Sequence, residues 1–455
     1  MRYTRALADF CAGVTFETLP LEVTRKAKLC LLDYVANIYG SLQMDAVAGV
    51  IEYIRSLGNQ GPATVLGCGF RTDIHQAAFI NGTTAEAIEA QDGTRFGGNH
   101  PGTAVIPAAL ALAESRGLTG VKVIEAIVVG YEAANRPAAA MHPWHTLAGF
   151  LPTGTCGAFG AAAAAAKILG LDAQLTATAL GNAGYLLPLS MAEQLMGGYT
   201  IKIVQGGAGA QAGLMAAGLA KHGLTGLKDV LEGTALGGGF CKITSQGEPK
   251  YERIVDGLGE HYSIMDVYFK PFTACRHTHG SAQAALEILS SMKVAPADIE
   301  AIEVSTYGIA ELAVGKSIDK DSTFVSAQFS IPYVVAVCLL DGCLGPRQLT
   351  EARIKDPEVL QLAKKVIVRT DQALNAAYPE KTPSRVEIKT KDGRSMARQV
   401  DVPRGDPRDP LEEAQLTVKV KDFAGSRYSS KLDALIENIL KLEKIENIKT
   451  ITEAI

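Results

Sequence analysis

The run GTCGAFGAAAAAAKILGL at residues 154–171 constrains this chain most. Alanine has the strongest intrinsic helix preference and no side chain beyond Cβ, so the run predicts a helix that its neighbours can approach closely. The sequence around it supplies those neighbours. LEVTRKAKLCLLDYVANIYGSL (21–42) carries apolar residues at three- and four-residue spacing, the pattern of a core-facing helical stripe. HPGTAVIPAALALAESRGLTG (100–120) opens beside Pro101 and closes on Gly117, a helix start and a C-cap. GVKVIEAIVVGYEAANRP (120–137) follows as another helix. Residues 1–265 therefore read as helix after helix.

The pattern changes after residue 265. IEAIEVSTYG (299–308) alternates Ile302 and Val304 with polar neighbours, as a half-buried strand does. RVEIKTKDGRSMARQVDVP (385–403) reads as two alternating runs joined around Asp392–Gly393, a hairpin turn dipeptide. GSAQAALEILSSM, FSIPYVVAVCLLDG and DPEVLQLAKKV are helical between them, and the tail KLDALIENILKLEKIENI is amphipathic. A length of 455 residues exceeds what one hydrophobic core usually serves. The expectation is a mainly α chain with an α+β part. A large helical domain spans 1–265, completed by 406–455, and a smaller α+β domain spans 266–405.

Composition narrows the function. A net charge of −4 offers no general attraction to nucleic acid or to an anionic membrane. Eight cysteines without CxxC pairs do not outline a zinc ribbon or a disulfide framework, which predicts a reduced, cytoplasmic setting. The start MRYTRALADFCAGVTFETLP has charges throughout, unlike a secretory signal. No run of about 18 uncharged apolar residues predicts a membrane span.

Four stretches carry candidate chemistry. KPFTACRHTHG (270–280) packs Lys270, Cys275, Arg276, His277 and His279 together in a chain with only eight histidines. Such a cluster is costly to bury unless an anion pairs with it. It could be a metal site, solvated surface or a pocket for an acidic substrate; two histidines at i and i+2 without a third ligand point only weakly to a metal. In IEAQDGTRFGGNHPG (88–102), Glu89 and Asp92 are spaced to share one face of a helix end, with Arg95 and His100 following. These are groups suited to acid–base work, or equally a helix end with solvated charges. In GGYTIKIVQGGAGAQAG (197–213), Gly207, Gly209 and Ala212 match a dinucleotide spacing, but no βαβ unit surrounds them, so that reading is rejected. Lys202 there is flanked by isoleucines, either reaching to solvent or held at an anion pocket. MHPWHT (141–146) places His142 and His145 beside the only tryptophan.

Taken in order, NGTTAEAIEAQDGTRFGGNHPG, GYEAANR, FLPTGTCGAFGAAAAAAKILGL, KPFTACRHTHG, SIPYVVAVCLLDG and GDPRDPL resemble the MmgE/PrpD family over essentially the whole chain. That family contains 2-methylcitrate dehydratases, cis-aconitate decarboxylases and iminodisuccinate epimerases. The resemblance implies a large helical domain with an α+β lid, a homodimer, no cofactor or metal, and a small di- or tricarboxylate substrate. It also implies roles: Lys202, His100, His279 and Tyr333 as catalytic groups, with Glu89 and Asp92 orienting them. Arg276, Arg95, Cys275 and Lys270 would contact substrate.

The chain departs from the family in two places. Where dehydratases and decarboxylases of this type show D-x-D-D-T, it reads EAQDG, and the histidine of G-F-H-P-T is Leu151, leaving His142 or His145 as substitutes. The thinner acid complement leans toward an epimerase, and the frequency of activities in the family leans toward a dehydratase, which is placed first. A decarboxylase is a further alternative, and a binding protein without turnover comes last. On this reading Lys202→Ala or His100→Ala loses about 100-fold in rate with the protein still folded.

Overall fold

The alanine-rich run forms the helix Pro152–Leu169, buried continuously from Pro152 to Ala166. The computed structural model, which describes residues 2–292 and 294–455, wraps this helix with Gly102–Arg116, Gly120–Met141, Ala173–Leu186 and Gln205–Lys221. Small residues make this closeness possible. A Cβ on Gly213 would lie 2.5 Å from the Ala162 amide nitrogen and 2.7 Å from the Ala158 carbonyl. Gly117 ends its helix in the left-handed region (φ 62°), as its place in the sequence predicts. The helix Gly120–Met141 carries Pro137 inside it and runs past the end that the proline suggested.

The glycine-rich stretch 197–213 is a 3-10 turn, Thr200–Val204, leading into the helix Gln205–Lys221. Its glycines serve packing. A Cβ on Gly207 would sit 2.0 Å from the Phe79 carbonyl oxygen, so Gln205–Lys221 lies directly on the helix Ile74–Ala87. That contact sets Lys202 beside the end of the Ile74–Ala87 helix.

Beyond residue 265 a four-stranded sheet has the spatial order Val366–Thr370, Ile299–Thr306, Ser384–Thr390, Ser395–Val400. The first pair is parallel and the others antiparallel. Ser384 pairs with Val400 and Lys389 with Ser395, so the hairpin turns around Asp392–Gly393 with Gly393 at φ 84°. The strand Val366–Thr370 was not legible, because DPEVLQLAKKV reads as a single helix; in the structure the helix stops at Ala363. The helix His279–Met292 packs on this sheet and against Ile331–Asp341.

Two features hold the segments together around the acid-bearing loop. Gly93–Thr94 pairs antiparallel with Val267–Tyr268, joining the loop to the stretch that continues into KPFTACRHTHG. The tail helix Glu413–Ala424 packs on Leu21–Ser41, where Lys419 Nζ reaches Asp33 Oδ1 at 2.6 Å and the Ala90 carbonyl at 2.7 Å. Among the described residues no helix is long and apolar enough to cross a membrane.

Gly207→Ala is expected to cost about 1–3 kcal/mol by forcing the two helices apart. Gly218→Ala, on the same helix with nothing within 4 Å of the added Cβ, is expected to stabilise by about 0.5–1 kcal/mol. Urea denaturation of both variants measures the difference.

Candidate active site

The helix Ile74–Ala87 ends at Ile88, and Glu89 then turns with φ 56°. A non-glycine residue in the left-handed region carries backbone strain of order 1–3 kcal/mol, sustained only where its surroundings fix it. The turn separates two acids that the sequence placed on one helical face. Glu89 faces a cavity of about 170 Å³, whereas Asp92 turns into the core toward Tyr131.

Glu89 is held by cations on two sides. Lys202 Nζ donates to Glu89 Oε2 and, at 2.8 Å, to Glu86 Oε1. Lys270 Nζ donates to Glu89 Oε1 at 2.6 Å and to the Glu89 carbonyl at 3.2 Å. Gln205 Nε2 completes the cluster on Glu86 Oε1 at 2.7 Å. All are buried. Burial opposes the charge of Glu89, but Lys202 and Lys270 outweigh it and hold the carboxyl well below the usual carboxylate range. Burial likewise disfavours the Lys202 ammonium, yet Glu86 and Glu89 hold it above the usual lysine range. Lys202 is therefore held as a cation.

His100 is the base. Its Nδ1 lies 2.7 Å from the Asp92 carbonyl, which can only accept, so Nδ1 carries the proton and Nε2 the lone pair. Burial, with Lys270 adding to it, pushes this imidazole down to about 3, leaving it neutral. Nε2 faces Glu89 Oε1 at 3.8 Å, a carboxylate ready to stabilise the imidazolium once a proton is taken. The Thr153 hydroxyl accepts the His100 backbone N–H at 3.0 Å, and a Cβ on Gly93 would strike Nδ1 at 2.7 Å. The ring has little freedom.

Arg276 supplies a positive charge with a free edge. It lies over the Tyr268 ring at 4.8 Å. Its Nη1 and Nη2 donate to the Arg404 and Pro403 carbonyls, each at 2.7 Å, and Nη1 also meets His279 Nδ1 at 3.4 Å. Of five guanidinium protons, Nε–H and one on Nη2 remain without partners among the described residues. That edge grips a carboxylate elsewhere in this chain, where Arg5 holds Asp229 at 2.9 and 3.0 Å. Arg95 also lines the cavity, but its charge is shared with Asp406 at 3.2 Å. Cys275 lines it as a thiol, pushed up to about 11 by burial and by Glu89.

Four expected site residues stand outside the cavity wall. His279 is fully buried, with Nε2 on the Ala274 carbonyl at 3.0 Å and Nδ1 against Arg276. It lies behind Arg276 and not on the cavity wall where the family-derived reading expected it. The stretch is a 3-10 turn, Arg276–Thr278, running into a helix, so alternate residues part: His277 turns to the cavity and His279 to the core. Tyr333 donates to the Gln348 carbonyl within the apolar helix Ile331–Asp341, away from the cavity, and Phe329 occupies the wall instead. Lys270 is fully buried, and among the described residues its ammonium hydrogen-bonds only to Glu89. Asp92 accepts from Tyr131 and from the Gly102 amide at 3.2 Å, and acts on the site through its backbone carbonyl.

The cavity also takes in residues that the sequence reading did not assign: Gln205, Tyr268, His277 and Tyr378. Glu86 had one visible signal, a lone acid inside the Ala/Thr-rich run NGTTAEA. Of the two histidines near Leu151, His142 lines the cavity beside Leu151 itself. His145 is held between Thr244 and Thr155 in the core. Among the described residues no group of three or more His, Cys, Asp or Glu is placed to hold a metal ion.

The chain matches the model of the MmgE/PrpD N-terminal domain over residues 5–252 and that of the MmgE/PrpD C-terminal domain over residues 272–444. It is similar to the cis-aconitate decarboxylase of Aspergillus terreus, 26% identical, with 99% of this chain and 95% of that one covered. The cis-aconitate decarboxylase of Mus musculus is 27% identical, covering 99% and 92% respectively. A cis-aconitate decarboxylase-like protein of Aspergillus oryzae is 27% identical, covering 96% and 94%.

Removing Lys202 takes from the buried Glu86 its one cation among the described residues and from Glu89 one of two, so Lys202→Met is expected to cost about 3–5 kcal/mol, contrary to the intact fold that the sequence suggested. Adding Glu86→Gln to that variant is expected to recover part of the loss in chemical denaturation. Burial pushes the Asp92 carboxyl up to about 7. The folded state thus resists an ionisation that the unfolded chain undergoes near pH 4, and stability falls between about pH 4 and pH 7. Asp92→Asn escapes this, so its melting temperature relative to the wild type is expected to rise across that window and level off above it.

Proposed function

We propose, on the premise that this chain belongs to the MmgE/PrpD family, that it is a cofactor-independent lyase acting on a 2-methylcitrate-like di- or tricarboxylate. The reaction begins with removal of a proton from the carbon next to a carboxylate and ends in loss of a β-hydroxyl. One observation carries this reading. The His100 Nδ1–H is committed to the Asp92 carbonyl, which leaves a neutral Nε2 lone pair in a cavity that also holds a fixed ammonium, Lys202.

Each group has a role that follows from its contacts. The free Nε/Nη2 edge of Arg276 receives a substrate carboxylate. His100 Nε2 takes the carbon-bound proton, and Glu89 stabilises the imidazolium. Lys202, held charged by Glu86 and Glu89, faces the negative charge that develops on the neighbouring carboxylate. A preorganised donor of this kind is worth about 3 kcal/mol. Asp92, Lys270 and His279 position these groups.

The relatives' activity favours a second reading, decarboxylation of a cis-aconitate-like acid. That reaction needs a proton donor and no base on carbon, so it leaves the Nε2 lone pair of His100 without a task, and abstraction is placed first. Epimerisation needs a second base on the opposite face. A binding protein without turnover would be stabilised by citrate while exchanging no protons.

The test is incubation with 2-methylcitrate, citrate and cis-aconitate in deuterated water. Alkene absorbance marks dehydration, released CO₂ decarboxylation, and deuterium incorporation with inversion epimerisation. Dehydration is the expected outcome; CO₂ release without alkene formation would replace it with the second reading. His100→Gln is expected to lose at least about 100-fold in rate while keeping its melting temperature.

A further inference from the structure

Elimination of a hydroxyl needs a proton donor on the leaving oxygen as well as a base on carbon. His100 fills only the second role. Among the cavity-lining residues outside the family-derived assignments, His277 is half-buried, and its Nδ1 lies 2.5 Å from the Tyr307 hydroxyl. Tyr307 is 1% exposed, packed edge-on to His277 and stacked on Tyr378 at 4.7 Å. Among the described residues its hydroxyl has no other hydrogen-bond partner than His277. A buried hydroxyl must place its proton on an acceptor, and Nδ1 is the one available, so Tyr307 donates and Nδ1 carries the lone pair. The neutral ring then has its proton on Nε2, the nitrogen left to face the cavity.

Two of the three imidazoles that line the cavity are thus fixed in opposite tautomers. His100 has its proton turned away, on a carbonyl; His277 has its proton turned in, because a hydroxyl occupies the other nitrogen. We propose that His277 is the proton donor to the leaving hydroxyl, oriented by Tyr307 and working opposite His100. This rests on the dehydratase reading above. In the step, His100 Nε2 takes the carbon-bound proton, the C–H pair becomes the new C=C, and the C–O bond leaves with its electrons. The departing oxygen takes the His277 Nε2 proton and becomes water, while Nδ1 takes the phenolic proton of Tyr307. After product leaves, the proton held on His100 passes through solvent to His277 Nε2, Nδ1 gives its proton back to the Tyr307 oxygen, and both rings regain their starting tautomers. Tyr307 is a positioning residue, and Tyr378 supports it by stacking while its hydroxyl meets His142 Nε2 at 3.3 Å.

The test compares 2-methylcitrate with its analogue bearing fluoride in place of the hydroxyl, a leaving group that departs without a proton. His277→Gln is expected to lose at least about 100-fold in alkene formation from 2-methylcitrate and to run near the wild-type rate on the fluoride. Tyr307→Phe is expected to show the same split, more weakly, since the ring can then turn its tautomer over. A His277→Gln protein that is normal on both compounds, or equally slow on both, overturns the assignment; the latter outcome makes His277 a binding or structural group. A wild-type protein that eliminates neither overturns the proposed function, and this inference with it.

Discussion

The structure depends on a buried charge balance. Glu86 and Glu89 are set against Lys202 and Lys270 with almost no solvent access. Buried ions cost several kcal/mol each to desolvate unless every one is paired. The cluster therefore fixes the relative positions of the three segments that contribute to it: the end of the helix Ile74–Ala87, the turn Thr200–Val204 and the start of KPFTACRHTHG. It also stabilises the left-handed turn at Glu89, since the backbone carbonyl and both carboxylate oxygens of that residue are gripped by ammonium groups.

Around that frame the site divides into a charged part and an adjustable part. Lys202 is fixed as a cation by its partners and cannot cycle through a neutral form cheaply. The imidazoles are adjustable, with tautomers set by what their outer nitrogens touch. A backbone carbonyl makes His100 an acceptor toward the cavity. On the proposed reading, electrostatic stabilisation and proton transfer fall to different groups, and the open edge of Arg276 is the one that receives a substrate carboxylate.

The helical part was readable because its signals are local. Apolar spacing and alanine runs mark Leu21–Ser41, Gly102–Arg116 and Pro152–Leu169, and glycine C-caps close two of them. The hairpin followed from Asp392–Gly393. Val366–Thr370 escaped because a parallel strand is fixed by its distant partner Ile302–Thr306, with no local turn to announce it. Within the site, Lys202, His100, Arg276 and Glu89 stood out as ionisable groups in apolar or glycine-rich surroundings. Asp92, His279 and Tyr333 looked equally eligible, yet they turn into the core. Their contacts are with Tyr131, Ala274 and Gln348, remote from any motif that the sequence displays.

The order of residues by itself determined the helices, the hairpin, the family and the short roster of groups able to do acid–base work. Each of these follows from side-chain type and spacing over a few turns of chain. Only the tertiary structure decided which of those groups share a cavity and in what protonation state. A reversed φ at Glu89, a 3-10 turn at Arg276 and a buried tyrosine behind His277 choose the direction of each side chain. Burial and pairing, which depend on segments more than a hundred residues apart, then set the charge that each one carries.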